Sequence, residues 1–226
     1  MNVVSIITPT TGKKSLYRLI DSIRKQNVPY EHILLWDDKR EGDFLYPDHD
    51  LKTKNPYDME DQNTTCLVFK GSMVYGKAYG SALRSIGLLS ARGDYVTFAD
   101  DDIYWDDNHL QSMLASLNNQ EWAYCRRKIY DQAGNCIGVD NFESVGDSSD
   151  RKVPYEMVDN NCMIFSRRFG SSGACLYRET KDYNDDRLFY GFLKKYAGTP
   201  GITKIATVNQ VCPLRLEAMF KQHCTR

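Results

Sequence analysis

Tyr95-Val-Thr-Phe-Ala-Asp-Asp-Asp-Ile-Tyr-Trp105 is the stretch from which the fold is read. Tyr95, Val96, Thr97 and Phe98 are β-branched or aromatic and predict a buried central strand. Three consecutive aspartates close it, although crowded, desolvated carboxylates repel one another. A positive charge is therefore expected at this tip. If the chain stays extended, Asp100 and Asp102 point to one side and Asp101 to the other. Two hard oxygen ligands at a strand end suit Mg²⁺ or Mn²⁺, ions that also bind phosphate oxygens. The plainer alternative is a solvated acidic loop that caps the helix after it.

Upstream, Val3-Val-Ser-Ile-Ile7 runs into Thr8-Pro-Thr-Thr-Gly12, a strand delivered into a turn. Leu16, Leu19, Ile20 and Ile23 share one face of a helix over 15–26, which Asn27-Val28-Pro29 stops. His32-Ile-Leu-Leu-Trp36 is a second strand, ending in Asp37-Asp38. This βαβ unit predicts a parallel sheet with its ligand crevice at the strand C-termini. Residues 39–65 are polar and aperiodic, long for a connection. Cys66-Leu-Val-Phe69 reads as a short strand, 77–92 as a helix, and Asp106 or Asp107 as the cap of a helix through Asn118.

Downstream the pattern changes. Trp122–Tyr130 and Cys136–Val139 flank a turn and predict a hairpin. Residues 141–160 are acidic and loop-like, Asn161–Phe165 is a core strand, 186–196 a helix, 202–211 a strand and 214–223 a terminal helix. The expectation is a single α/β domain over 1–226, its ligand half 1–105 and its second half 106–226, without a linker or internal repeat.

The chain has 226 residues, with 29 basic and 30 acidic side chains and no basic tract, which argues against nucleic acid as a partner. Apolar runs are too short to span a membrane, and the N-terminus lacks a signal-peptide pattern. Seven scattered cysteines without a CxxC pair suit reduced thiols and a cytoplasmic setting. His32 reads as structural, His109 as a surface residue early in its helix.

Gly71-Ser-Met-Val-Tyr-Gly76-Lys77-Ala78 is close to a phosphate-binding P-loop, but Ala78 stands where a hydroxyl should reach the metal. That alternative, an NTPase or phosphotransferase, also leaves Asp37-Asp38 and the three aspartates unexplained. No GxGxxG follows a strand, which disfavours a dinucleotide enzyme.

Read together, Val4-Ser-Ile-Ile-Thr-Pro-Thr10, Trp36-Asp-Asp38, Arg84 through Ala91-Arg-Gly-Asp94, and Phe98-Ala-Asp-Asp-Asp-Ile-Tyr-Trp105 resemble glycosyltransferase family 2. The resemblance covers about the first 120 residues. It implies the GT-A fold: a Rossmann-like, mostly parallel sheet flanked by helices, with a smaller mixed β portion in the C-terminal half. It further implies a metal-dependent inverting transfer from a nucleotide sugar, UDP-linked, to a saccharide or glycolipid acceptor, with peripheral membrane association compatible with that role. A catalytically inactive nucleotide-sugar-binding module is the second alternative.

Site residues follow from the same resemblance. Pro9, Thr10 and Thr11 line the nucleoside pocket; Asp38 accepts from a uracil-type ring N–H; Arg84 approaches the base. Asp100 is the first acid of the DxD motif and faces the ribose, with Asp101 beside it. Asp102 holds Mn²⁺ or Mg²⁺ on the diphosphate, with Asp100 and a late histidine, His223, in the metal set. Asp186, paired with Asp185 at the start of a late helix, is the general base; helix capping by the same acids is the plainer reading. For Arg84 the plainer reading is a solvated helix face. The chain departs from the family pattern at Ser85, where Asn is usual, and at Asp185-Asp186, where Glu-Asp is usual.

Overall fold

The computed structural model describes residues 2–38, 59–70, 80–148, 153–154, 156–177 and 184–224. The elements are β1 (Val4–Thr10), α1 (Ser15–Arg24), β2 (Tyr30–Asp38), β3 (Thr64–Lys70), α2 (Ser81–Ser90), β4 (Tyr95–Phe98), β5 (Ile103–Trp105) and α3 (His109–Leu117). Then come β6 (Trp122–Tyr130), β7 (Cys136–Val139), β8 (Met163–Ser166), α4 (Arg167–Gly173), α5 (Asp185–Tyr196), β9 (Gly201–Val211) and α6 (Leu214–His223).

One sheet runs β3-β2-β1-β4-β8-β6-β9-β5, with β7 attached to β6. The first four strands are parallel. β8 then reverses against both β4 and β6, β9 runs parallel to β6, and β5 closes the edge antiparallel to β9. This is the parallel half and mixed half that the sequence implies. Every residue of β1 is buried, as a central parallel strand covered on both faces requires. Leu16, Leu19, Ile20 and Ile23 of α1 are the buried stripe. On the other face α2 lies so close that a Cβ on Gly87 would stand 2.4 Å from Ile7 Cγ2 and 2.9 Å from Leu35 Cδ1. Gly87 is what lets α2 carry Arg84 in under the strand tips.

Several sequence expectations change. β1 and β2 extend to Thr10 and Asp38, because pairing to Trp36 and Lys70 holds polar residues in register past the apolar run. α2 is helical from Ser81, and residues 71–79, including the P-loop-like Gly71, Gly76 and Lys77, lie outside the described residues. Asn108, not Asp106 or Asp107, stands at the start of α3. Asp106 instead accepts from Asn209 Nδ2 at 2.8 Å and pairs with Lys128 at 2.7 Å. β5 has no sequence signal of its own: its partner is β9, with Ile103 opposite Gln210. α4 (RRFGSSG) lacks an apolar stripe and was equally illegible.

His109 is fully buried rather than on the surface, because β9 passes over it. Its Nδ1 lies 2.7 Å from Thr207 Oγ1 and its ring stacks on Trp105 at 4.3 Å. His32 is buried as expected, with Nε2 2.9 Å from Thr8 Oγ1. Burial pushes both imidazoles down from 6.5, to about 4 for His32 and about 3 for His109. The unfolded chain takes up these protons first, so stability is full above about pH 6.5 and falls as pH drops toward the folded values. Chemical denaturation at about pH 5 should show a loss on the order of 2 kcal/mol per histidine relative to about pH 7.5, and His109→Gln should remove its share of that slope.

Candidate active site

β1 and β4 lie side by side, and the Ala99 amide donates to the Ile7 carbonyl at 3.0 Å, so Pro9-Thr10 and the three aspartates emerge together. The chain does not stay extended beyond Phe98. It turns, with the Ile103 amide donating to the Asp100 carbonyl at 3.2 Å, and the expected same-side placement of Asp100 and Asp102 gives way to three different environments. Asp100 is ion-paired with Arg84. Its Oδ2 accepts from Asn161 Nδ2 at 3.1 Å, and its amide donates to Asn161 Oδ1 at 2.6 Å. Asp101 is buried, accepting from Thr10 Oγ1 at 2.7 Å and pairing with Lys13 Nζ at 2.9 Å. Asp102 stands half exposed, 3.6 Å from the same Lys13.

The positive charge called for by the acidic tip is thus present twice, as Arg84 and Lys13. Arg84 is buried on the Phe98 side of the tip, 6.0 Å from that ring, which rules out the solvated-face reading. Lys13, an unremarked turn lysine in the sequence, reaches the tip because Gly12 takes φ +84 at the turn after β1. A Cβ on Gly12 would stand 2.5 Å from the Trp36 ring. Crowding by protein atoms raises the Asp102 carboxyl to about 6, with Lys13 opposing and the carboxylates of Asp101, Asp100 and Asp159 adding. Pro9 and Thr10 are buried and Thr11 is half-buried. The backbone of Asp38 ends β2 one strand over, and its side chain lies outside the described residues.

Asp185 and Asp186 occupy the first turn of α5. Neither is its N-cap, which is Asn184, and both carboxylates bond to groups from other elements. Buried Asp185 accepts from the hydroxyl of Ser81, tying the start of α5 to the start of α2. Asp186 Oδ1 accepts from Asn160 Nδ2 at 2.5 Å, and Asn160 Oδ1 accepts from the Tyr177 hydroxyl at 2.6 Å. Tyr177 is clamped among Phe98 and Phe189, at ring distances of 5.3 and 5.1 Å. Burial, then the charge of Asp159, raises Asp186 to about 7; Arg84 opposes, while Asp100 and Asp185 add. A carboxyl poised near neutrality among polar partners has the property a general base needs.

Two further parts of the site went unread in the sequence. One is the short 3₁₀ turn Asn160–Cys162, entered from Asp159, whose two asparagines reach Asp186 and Asp100. Its signal was present: Asp-Asn-Asn directly before an apolar run. The other is Arg127 of β6, buried in the alternation of an interior strand. It donates to Asp140 at 2.9 Å, to Glu143 and Gln210 each at 2.8 Å, and to Asp159.

His223 is placed elsewhere. It packs on the Phe142 ring at 5.1 Å beside Phe220, in a small satellite cluster. Among the described residues no group of three or more His, Cys, Asp and Glu side chains is arranged to hold a metal, so His223 is not gathered with the aspartates. All seven cysteines are free thiols. No helix among the described residues is long and apolar enough to cross a membrane.

Residues 76–182 match the family described as Glycosyl transferase family 2. Among solved structures the chain is similar to S. aureus TarS 1-349 in complex with UDP-GlcNAc, with a TM-score of 0.66 and 16% identity over 94% of this chain and 59% of that one. Unliganded TarS 1-349 gives 0.65 and 19% over 97% and 65%, and TarS 1-349 in complex with UDP gives 0.65 and 17% over 97% and 65%. The chain therefore spans 59–65% of the length of these TarS chains. At such identities the likeness speaks for the fold, and the fold is GT-A. No curated protein matches the chain.

Proposed function

From the match of residues 76–182 to Glycosyl transferase family 2 and the GT-A fold, we propose that the chain is a family 2 glycosyltransferase that moves a sugar, with inversion, from a UDP-linked donor to a hydroxyl of a saccharide or glycolipid acceptor. The observation that carries this reading is the hydrogen-bonded continuity between the acidic tip and the start of α5: Asp100 is held by Asn161, and Asp186 by the adjacent Asn160. An acid set for the donor side and an acid set near neutrality thus share one short turn. The TarS complexes with UDP-GlcNAc and UDP supply the donor class.

In this reading Asp186 takes the proton of the acceptor hydroxyl as its oxygen bonds to the anomeric carbon and the bond to the diphosphate breaks. Asp185, anchored on Ser81, fixes the helix start that carries the base. In this reading Pro9, Thr10 and Thr11 serve the nucleoside pocket, Asp38 and Arg84 serve the base, and Asp100 serves the ribose.

With no group of three metal-ligating side chains among the described residues, a divalent cation would rest on the donor diphosphate, water and the Asp102 carboxyl. That carboxyl is half exposed, raised to about 6 by crowding and neighbouring acids, and its nearest cation among the described residues is a lysine shared with Asp101. Mn²⁺ or Mg²⁺ held there, with Asp100 nearby, would neutralise charge on the departing diphosphate as a Lewis acid. His223 has no part in this set.

A thermal-shift panel of UDP-, GDP- and CMP-sugars with and without Mn²⁺ tests the proposal. A UDP-sugar at about a hundred times its Kd should stabilise the fold by about 2.7 kcal/mol. Asp102→Ala should remove the Mn²⁺-dependent part of that shift, and a variant that keeps full manganese dependence contradicts the metal assignment. Lys77→Ala should leave UDP-sugar binding intact; stabilisation by ATP or GTP that Lys77→Ala abolishes would favour the P-loop alternative.

A further inference from the structure

Both asparagines of the 3₁₀ turn are buried, at 1% and 3% exposure. A buried carboxamide left unpartnered is costly, so its partners define its purpose. Asn160 has the Tyr177 hydroxyl on its oxygen, and that fixes which way the amide faces: its NH₂ must point at Asp186. Asn161 turns the other way. Its oxygen accepts the Asp100 amide, and its NH₂ donates to Asp100 Oδ2 and to Asp159 Oδ1 at 2.8 Å. Asp159 Oδ1 also accepts the Asn161 amide at 2.9 Å, while its Oδ2 is held by buried Arg127. The turn is thereby fastened by Tyr177 and by Arg127, and its neighbouring asparagines reach carboxylates on two different elements, Asp186 of α5 and Asp100 at the β4 tip.

We propose that this turn is a positioning element with divided duties: Asn160 orients and ionises the Asp186 carboxylate, and Asn161 orients Asp100 for the donor. The proposal rests on the reading of Asp186 as base. An N–H donated to a carboxylate favours its charged form, so Asn160 works against the burial that keeps Asp186 protonated. The charged groups facing Asp186 are Asp159 from the turn, Arg84 from α2, Asp100 from the β4 tip and Asp185 beside it on α5, and none of these is altered by changing Asn160. Tyr177 acts one bond further back, through the amide it orients.

The division gives neighbouring substitutions opposite kinetic signatures, which a merely structural turn would not. With UDP-GlcNAc as probe and its acceptor-free hydrolysis as the readout, Asn160→Leu should lower kcat about tenfold or more and move the acidic limb of the kcat profile up by about one pH unit. UDP affinity should stay within about twofold. Asn161→Ala should weaken UDP binding about tenfold with the acidic limb unmoved. Tyr177→Phe, which deletes one oxygen and keeps the ring packing, should shift the limb in the same direction as Asn160→Leu by a smaller amount, and serves if the leucine variant does not fold. Loss of kcat and UDP affinity together in both asparagine variants, or an unshifted limb in both Asn160→Leu and Tyr177→Phe, overturns the proposal. Asp186→Asn separates the two layers: if it hydrolyses donor at the wild-type rate, the base reading itself fails. If it is inactive while the limb ignores Asn160 and Tyr177, only the positioning inference fails.

Discussion

Asp186→Asn lowers sugar transfer by at least about a hundredfold, the usual worth of a general base, while UDP binding stays within about twofold. The substitution keeps the shape and removes the proton acceptor. Wild-type kcat should climb with pH through about 7, where the carboxyl ionises, and the asparagine variant should lack that limb. A second consequence concerns stability. Burial raises the folded carboxyl from the ordinary 3.8 to about 7, so the unfolded chain sheds the proton first and stability falls as pH rises between those values. The uncharged amide avoids that loss, so at neutral pH the inactive variant should melt higher than the wild type. A transfer rate equal to the wild type would remove Asp186 from the mechanism. A chain that binds UDP with Mn²⁺ and transfers nothing even before substitution would be the inactive binding module.

Arg127→Met costs about 3–5 kcal/mol of folding stability, the range for removing one partner from a buried charge network. The guanidinium is buried and bonded to Asp140, Glu143 and Asp159; methionine fills the space and leaves three acids facing one another. Burial works against the charged form of Asp140, yet Arg127 and the amides of Phe142, Glu143 and Ser144 hold it below the usual carboxylate range. A depressed carboxyl stabilises the fold above its unfolded pKa and loses that contribution as pH falls through the folded value. Without Arg127 the Asp140 carboxyl protonates more readily, so the deficit of the variant should narrow toward about pH 4. Urea titrations of both proteins at neutral and acid pH check this, and a deficit independent of pH would assign the cost to packing.

The parallel half was legible because each of its elements declares itself locally. Val4–Ile7, Ile33–Trp36 and Tyr95–Phe98 are apolar runs that stop at polar turns, and α1 carries a clean stripe. The acidic tip stood out as carboxylates closing a buried strand, whereas the α5 acids were marked by the family resemblance alone, since a helix N-terminus favours such residues in any case. What escaped was non-local. β5 is a strand only because β9 arrives beside it, and His109 is interior only because Thr207 covers it. Lys13 reads as an ordinary turn lysine until the turn is seen to fold it back on Asp101. Arg127 shares its strand with Arg126 and Lys128, and sequence alone does not separate the one that is buried with three acids from its neighbours.

The lateral order of the strands has a bearing on how the molecule is made. The acidic turn leaves toward β5, and β5 is fastened to residues 208–210, more than a hundred positions later. Contacts of such separation form late because loop closure must come first. On the ribosome the four parallel strands can assemble while Asp102 still hangs from an unmoored segment. Its geometry is set only once the last strand has emerged.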